Sequence, residues 1–445
     1  MWSENVKKTI FISTCTLILL SVIAKAASFF IRILLARGMS TEAMSLYSLV
    51  SPTMLILITI AQMGIPAAIS KVMAQNDRYQ KPLFSALLFT IVTTVATVVL
   101  FAVFIPFLST LLFHDAAIDQ ILYAILPLIP LVALSGLCKG YLLGKRHHLL
   151  STSSQIIEEA ARIAFLLFTF QRVHTFDPYQ MAALAMFSIS IGEFASAIYM
   201  MLCMHLSFSS LKAFPHAVPT LKKEHYDQVL QISIPMTSSR FIGSFTSFLE
   251  PLLMLALIKE SMHAAMIEAY GIINGYLLPL LTMPSFLTIT LSNMLLPAFT
   301  YRLYRHDAQN AKKLCVMILG TCLLIGSGCA IICFLFPSQL LQLFYHQSLG
   351  AKTLKHLAIP FILYALQPPL TSLLHALSCS RQAMWDTILG SLLRLFCVCF
   401  LSPFFQADVL SIGLCAGMCL TTLLHAIRLF GRFLHHEQGS FLPKA

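Results

Sequence analysis

Lys25 and Arg32 interrupt a long apolar stretch near the N-terminus, "VIAKAASFFIRILLARG" at residues 22–38. Seven residues make about two turns of an α-helix, so the two side chains lie on one face, roughly 10 Å apart along the axis. Ser21 and Ser28 share this face, as does Thr14. Because lysine and arginine donate charge-assisted hydrogen bonds to phosphate and carboxylate oxygens, this polar face could bind an anionic group.

Three later arginines lie in similar polar stripes, each inside an apolar stretch. Arg162 is preceded by Ser151, Gln155 and Glu158, Arg240 lies among Ser233, Thr237, Ser244 and Ser247, and Arg394 is preceded by Thr387 and Ser391. A charge deep in a bilayer costs roughly 2.5 to 3.5 kcal/mol, so such residues usually face a cavity or a partner. The candidate substrate-binding residues are therefore Lys25, Arg32, Arg162, Arg240, Arg394, Ser21 and Ser28.

Structural roles compete with binding at some of these positions. Arg162 follows Glu158 by four residues and Glu159 by three, so an ion pair within the helix is equally open. Arg32 lies near the predicted outer end of its helix and could extend its charge to the lipid head groups. Lys139, near a predicted cytoplasmic end, is expected to do the same.

Two carboxylates also lie in apolar stretches. Glu193 and Glu250 are candidates for ion coupling, and the alternative is that they only neutralise the arginines. These two interpretations stay open at the level of the sequence.

The elements that carry these residues are membrane-spanning helices. The chain has 445 residues, of which 58% are hydrophobic and only 11% are charged. Since backbone polar groups in lipid must be satisfied within the segment, long apolar stretches are helices. We predict an all-α polytopic membrane protein with about twelve spans, at residues 11–35, 46–69, 83–107, 119–143, 152–171, 181–204, 229–257, 266–290, 311–336, 357–377, 385–403 and 408–430.

The basic residues predict the orientation, because loops rich in lysine and arginine stay in the cytoplasm. With a cytoplasmic N-terminus, 18 of the 29 lysines and arginines fall on the inner side, 5 on the outer side and 6 within spans. We therefore expect a multi-pass protein of the cell membrane with both termini in the cytoplasm. The net charge of +11 follows from this topology and does not indicate nucleic-acid binding.

The spans divide into two halves of six. The polar stretch "SSLKAFPHAVPTLKKEHYDQ" at 209–228 separates them, which predicts an N-terminal lobe at 1–208, a cytoplasmic linker at 209–228 and a C-terminal lobe at 229–445. Six spans return the chain to its starting side, so the two lobes would share an orientation.

The motifs exclude most enzymes. There is no phosphate-binding GxxxxGK[ST] loop and no HExxH, and no soluble insert is large enough for a catalytic domain. The 12 cysteines lie mainly in spans, without histidines at matching spacing. We expect no enzyme activity, no cofactor and no bound metal.

Four stretches resemble a known family. They are "VIAKAASFFIRILLARGMSTEAMSLYSLVSP" at 22–52, "AQMGIPAAISKVMAQND" at 61–77, "GYLLGKRHHLLSTSSQIIEEAARIAF" at 140–165 and "YGIINGYLLPLLTMPSFLTITLSNMLLPAF" at 270–299. They are similar to the stage V sporulation protein B and polysaccharide biosynthesis proteins, which are relatives of the flippases for the lipid-linked peptidoglycan precursor. Many relatives have fourteen spans, whereas twelve are predicted here.

The resemblance implies the multidrug/oligosaccharidyl-lipid/polysaccharide exporter fold, in which two six-helix lobes surround a central cavity that opens alternately to either side. It also implies a flippase that moves an undecaprenyl-pyrophosphate-linked oligosaccharide, a peptidoglycan precursor or another envelope unit, from the inner to the outer leaflet. In that family basic residues of the first helix line the cavity, which places Lys25 and Arg32 there. The expected partners are this anionic lipid, membrane lipids and possible cell-envelope synthesis machinery, with the chain a monomer.

Two other functions remain open. A multidrug or organic-cation antiporter of the same superfamily would use carboxylates such as Glu193 and Glu250 as its main cavity charges. A non-transporting scaffold in spore-cortex or envelope assembly would use the polar stripes as contacts between helices.

Overall fold

The computed structural model describes residues 4–75, 80–172, 176–204, 223–304, 307–377, 379–405 and 407–436. Over these residues the chain is helical and divides into two compact units, residues 1–248 and 249–445. The boundary between the units falls inside one long helix, Lys223–Leu257. The linker predicted at 209–228 lies mostly outside the described residues, so the predicted lobe boundaries stay a prediction.

The N-terminal unit is built mainly from long helices. Its helices are α1 (Glu4–Gly38), α2 (Thr41–Gln62), α3 (Ile65–Gln75), α4 (Gln80–Phe107), α5 (Asp119–Tyr123), α6 (Leu128–Gly144), α7 (His148–Arg172), α8 (Pro178–Cys203) and the larger part of α9 (Lys223–Leu257). A π-helical turn at Leu108–Leu112 extends α4.

The C-terminal unit has the same kind of construction. Its helices are the end of α9, then α10 (His263–Gly271), α11 (Leu278–Thr282), α12 (Ser285–Tyr304), α13 (Ala308–Leu335), α14 (Pro337–Tyr345), α15 (Ala351–Ala358), α16 (Phe361–Tyr364), α17 (Gln367–Ala376), α18 (Ser380–Phe405) and α19 (Asp408–His436). A π-helical segment at Ile272–Leu277 connects α10 to α11.

Local sequence explains where the second span breaks. Ser40 caps α2, its Oγ accepting a hydrogen bond from the Ala43 backbone N–H at 3.1 Å. The helix ends where Met63 takes a left-handed conformation with φ of 42°, followed by Gly64 with φ of 65°. The chain then re-enters a helix at Ile65–Pro66, since proline is well suited to a first helical turn. One predicted span thus consists of two helices separated by a turn at Met63 and Gly64.

The helices are long and apolar enough to confirm the predicted all-α membrane fold. Within the described residues ten helices meet the length and composition needed to cross a bilayer, and the pair Ala351–Ala358 and Phe361–Ala376, bent by 58°, makes an eleventh. The remaining predicted span, at 152–171, is the continuous helix α7, which carries Glu158, Glu159 and Arg162. The predicted count of twelve is consistent with this architecture.

The apolar surface fits a surrounding bilayer. Large apolar side chains are highly exposed on several helices, for example Val103 at 72%, Leu324 at 76% and Phe404 at 79%. Each unit still has its own buried apolar core, including Ile65, Ile69 and Leu137 in the first and Leu295, Phe299 and Leu373 in the second. Apolar residues inside pack the helices, and apolar residues outside are suited to contact lipid.

Candidate functional site

Lys25 and Arg32 of α1 have no carboxylate partner among the residues that the structure describes. Lys25 is exposed and, within the part of the chain that the structure describes, forms no hydrogen bond or ion pair. Arg32 is half-buried, with its guanidinium carbon 5.9 Å from the centre of the Tyr47 ring. This cation–π contact is worth little next to an ion pair, so the charge of Arg32 stays available to another partner.

The serines of the same face are already hydrogen-bonded. Ser21 Oγ donates to the Leu17 carbonyl oxygen at 2.8 Å, one turn back in α1. Ser28 Oγ donates to Oε1 of Glu159 on α7. Ser28 therefore joins α1 to α7 and has less freedom than Lys25 to bind a substrate. The Thr14 side chain lies outside the described residues.

Arg162 is paired within its own helix. Its Nη1 lies 3.2 Å from Oε2 of Glu159, three residues earlier, as the sequence spacing allowed. Gly192 of α8 makes room for it, because a Cβ at that position would lie 2.6 Å from the Arg162 Cγ. Ser28, Glu159 and Arg162 thus form a connected group that links α1 to α7.

Lys139 of α6 joins a second group of charges, contrary to the expectation that it extends to the head groups. Its Nζ lies 3.3 Å from Oε2 of Glu158 and 3.9 Å from Oε2 of Glu193. Ser135 donates to the same oxygen of Glu193 at 2.5 Å. Lys139 therefore connects α6, α7 and α8, and the Glu193 carboxylate has one hydrogen-bond donor, Ser135, and one nearby cation, Lys139.

Together these two groups contain three carboxylates and two cations. Counting Glu158, Glu159 and Glu193 as −3 and Lys139 and Arg162 as +2, the net charge is −1 if all groups are ionised. Lys139 and Arg162 both have carboxylate partners within the N-terminal unit, so neither is free to bind an anionic ligand.

Arg240 of α9 is exposed and, like Lys25, forms no ion pair with a described residue. Its neighbours in the stripe attach α9 to the broken second span. Ser233 Oγ donates to the Met63 carbonyl oxygen at 2.5 Å, and the hydroxyls of Ser244 and Thr59 lie 2.9 Å apart. The Met63 carbonyl would otherwise lack a helical partner, because Met63 directly follows the last residue of α2.

Arg394 is fully engaged with a carboxylate of the C-terminal unit. Its Nε and Nη2 donate to the two oxygens of Glu250 at 2.6 and 2.5 Å. The Glu250 side chain is 2% exposed, so this bidentate pair is deep in the unit. The geometry agrees with the interpretation that Glu250 neutralises an arginine.

A second charge group in the C-terminal unit was missed by sequence reasoning. Asp386 of α18 is fully buried, and Arg428 of α19 donates through Nε to both of its oxygens at 2.7 and 2.8 Å. Nδ1 of His425 lies 3.3 Å from Oδ2 of the same carboxylate. The spacing of Arg428 and His425 on one helix was a usable signal, but Asp386 lies 42 residues earlier.

The structure therefore sorts the candidate cations into two classes. Arg162 and Arg394 have carboxylate partners, whereas Lys25, Arg32 and Arg240 have none among the described residues. An unpaired cation inside an apolar span is stable only next to water, a head group or a bound anion. The second class is thus the one that can bind an anionic ligand.

Comparisons with known proteins agree with the fold and the motifs. Residues 11–301 match the polysaccharide biosynthesis protein family. The chain is 31% identical to stage V sporulation protein B of Bacillus subtilis (strain 168) over 436 residues, which cover 94% of this chain and 83% of that protein.

Solved structures of membrane transporters share the fold. An inward-facing multidrug resistance MATE family transporter of the MOP superfamily aligns with a TM-score of 0.69 at 12% identity, covering 95% of this chain and 96% of that one. The lipid II flippase MurJ in an inward closed conformation aligns with a TM-score of 0.66 at 13% identity, covering 96% and 94%. The chain is a multi-pass membrane protein with this transporter fold, and it belongs to the polysaccharide biosynthesis protein family.

Proposed function

We propose that this protein is a flippase for an undecaprenyl-pyrophosphate-linked oligosaccharide, a peptidoglycan precursor or another cell-envelope unit, which it moves from the inner to the outer leaflet by alternating access. The observation that carries the proposal is that Lys25 and Arg32, on one face of α1, have no carboxylate partner among the described residues. Membership of a polysaccharide biosynthesis family supports a glycan-bearing substrate.

Lys25 has the strongest claim to bind the pyrophosphate. It lies near the middle of the span Thr16–Gly38, where even the long side chain of a lysine does not readily reach the head groups. Exposing its ammonium to acyl chains would cost roughly 2.5 to 3.5 kcal/mol, so the side chain needs water or an anion beside it. A pyrophosphate supplies several anionic oxygens and suits a lysine and an arginine on the same face.

The remaining candidates take different roles. Arg240, which also forms no ion pair with a described residue, is a third cation for the head group. Arg162 and Arg394 hold Glu159 and Glu250, so we assign them to the stability of the two units rather than to direct binding. Ser28 positions α1 against α7 through Glu159.

The direction of transport depends on the orientation of the chain. The excess of basic residues in the predicted inner loops, 18 against 5, favours cytoplasmic termini. The protein would then move lipid-linked sugars that are assembled at the cytoplasmic face to the outer leaflet.

The alternative of an organic-cation antiporter is less well supported by the charges. It requires carboxylates that are free to bind a cation, but Glu193 accepts from Ser135 and faces Lys139, and Glu250 is paired with Arg394. A scaffold without transport is disfavoured by Lys25, because a helix contact would bury that side chain or give it a partner.

The proposal is tested with the purified protein in liposomes that contain a fluorescent undecaprenyl-pyrophosphate glycan. Exposure of the label in the outer leaflet is measured with a membrane-impermeant quencher, with protein-free liposomes as the control. We expect exchange of the pyrophosphate lipid and no accumulation of cationic dyes. Dye transport without exchange of the lipid would replace the proposal with the antiporter.

A further inference from the structure

A partly open cavity of about 340 Å³ lies in the C-terminal unit and is lined by residues of α11, α16, α17, α18 and α19. Its volume is at the lower end of the range of small-molecule pockets and far above the roughly 30 Å³ that one water occupies in the liquid. Four threonines, Ser391 and Gln367 contribute hydroxyl and amide groups to its lining. The proposed binding of the head group uses none of the lining residues.

The hydroxyl groups of the cavity are oriented mainly as acceptors. Four threonines of the lining each donate to the backbone carbonyl oxygen four residues back in their own helix. The distances are 3.0 Å for Thr387, 2.9 Å for Thr421, 2.8 Å for Thr371 and 2.7 Å for Thr282. Since each hydroxyl has one hydrogen and two lone pairs, the oxygens keep acceptor capacity towards the cavity.

An amide and a guanidinium add to this set. Nε2 of Gln367 donates to the Met418 carbonyl and to Thr422 Oγ1, both at 3.1 Å, which leaves its Oε1 as an acceptor. Arg394 uses Nε and Nη2 for Glu250, so Nη1 remains a donor. The lining therefore offers several hydrogen-bond acceptors and one donor. A ligand with many hydroxyl groups suits this lining, because each hydroxyl can both donate and accept.

The charges around the cavity disfavour an ionic ligand. Arg394 is neutralised by Glu250, and Asp386, behind His425, is neutralised by Arg428. A cation would meet the guanidinium of Arg394 in the wall and no unpaired carboxylate among the described lining residues. An anion would meet an arginine whose charge is already balanced.

Aromatic and glycine residues complete the shape. The rings of Phe361 and Tyr364 lie in the wall with centroids 5.4 Å apart, and aromatic faces suit the C–H surfaces of a sugar. Gly390 and Gly417 bring α18 and α19 into close contact, since a Cβ on Gly390 would lie 2.0 Å from Thr421 Oγ1. This contact fixes Thr421 at the edge of the cavity.

We propose that this cavity binds one uncharged sugar ring. The inference rests on the proposed function only for the origin of that sugar, which would be part of the transported glycan. The binding itself follows from the acceptor-rich lining, the balanced charges and the aromatic wall.

The test measures binding of three sugars that share a ring and differ in charge. N-acetylglucosamine, glucosamine and glucuronate are titrated into the purified full chain in nanodiscs, and binding is followed by saturation-transfer NMR. We expect saturable binding of N-acetylglucosamine and weaker binding of both charged sugars. Tighter binding of either charged sugar, or no saturable binding of any, overturns the proposal.

Variants localise the site. Removing two hydroxyls without a change of shape, in Thr387→Val with Thr421→Val, is expected to raise the Kd for N-acetylglucosamine about tenfold. Serine at both positions should restore binding. Thr321→Val is the matched control, because Thr321 of α13 is exposed, donates to the Met317 carbonyl and does not line the cavity. Equal binding by the valine double variant and by the control overturns the assignment.

The same preparations separate this inference from the proposed function. If the wild-type protein exchanges the pyrophosphate lipid but binds no sugar, the cavity proposal is wrong and the flippase proposal stands. If it binds the sugar at the threonine-lined cavity but exchanges no lipid, the flippase proposal is wrong and the cavity remains.

Discussion

The guanidinium of Arg394 on α18 forms two hydrogen bonds with the carboxylate of Glu250 on α9, at 2.6 and 2.5 Å, although the residues are 144 apart in the chain. This pair joins the first helix of the C-terminal unit to its penultimate one. Its two charges cancel, so it can lie in an apolar span without a ligand.

Removing only one partner of this pair should destabilise the protein. Arg394→Gln leaves Glu250 buried without a counter-charge, and breaking such pairs costs about 3 to 5 kcal/mol. We expect a clearly lower Tm for Arg394→Gln in detergent, and a smaller loss for Arg394→Gln combined with Glu250→Gln. If the double variant is less stable than the single one, Arg394 and Glu250 are not each other's main partners.

Lys139 should be essential for the stability of the N-terminal unit. Lys139→Met leaves three carboxylates with one cation in the group formed by Glu158, Glu159, Glu193 and Arg162, and like charges repel strongly at low dielectric. We expect a lower Tm, partly restored by adding Glu193→Gln. If Lys139 instead extended to the head groups, Lys139→Met would have little effect on the Tm.

The close packing of α6 on the start of α3 predicts a glycine requirement. A Cβ on Gly140 would lie 2.5 Å from the Pro66 carbonyl oxygen and 2.9 Å from its Cα, which are backbone atoms that do not move easily. Gly140→Ala should cost about 1 to 3 kcal/mol in thermal unfolding. Gly320→Ala is the control, because nothing lies within 4 Å of the added Cβ, and it should cause no loss.

Cysteine labelling can determine what Lys25 faces. In a variant without the 12 native cysteines, Lys25→Cys should react with a membrane-impermeant, water-soluble thiol reagent. Leu19→Cys is the comparison, because Leu19 is 60% exposed on a different face of α1, where we expect lipid. Ile31→Cys is a second comparison, because Ile31 is buried, at 1% exposure. Equal reactivity at positions 19 and 25, or none at 25, contradicts a wet cavity beside Lys25.

The sequence predicted the fold class and most of the helices, because apolar length and the lack of charge are direct signals of a span. The helix α7 was predicted in spite of Glu158, Glu159 and Arg162, because the window 152–171 contains no other charged residue. Breaks inside spans were less visible. The turn at Met63 and Gly64 depends on two left-handed residues, and only the glycine is a recognised signal for one.

The candidate site was predictable only where partners are close in sequence. The Arg162–Glu159 pair follows from a spacing of three residues on a helix. Lys139 and Glu158 are 19 residues apart on different helices, and Arg394 and Glu250 are farther still. Such pairs depend on how helices pack, which periodicity within one helix does not specify.

The central claim is that Lys25 and Arg32 of α1 bind the anionic head group. The most direct measurement is the rate of leaflet exchange of the labelled pyrophosphate lipid for Lys25→Ala combined with Arg32→Ala, compared with Lys259→Ala combined with Lys352→Ala. Each lost charge-assisted contact is worth about 1.5 kcal/mol, so the first variant should be slower by roughly a hundredfold. The second removes the same number of positive charges from two exposed lysines that lie between predicted spans, and should keep most of the activity. Full exchange by the Lys25→Ala, Arg32→Ala protein would contradict the account.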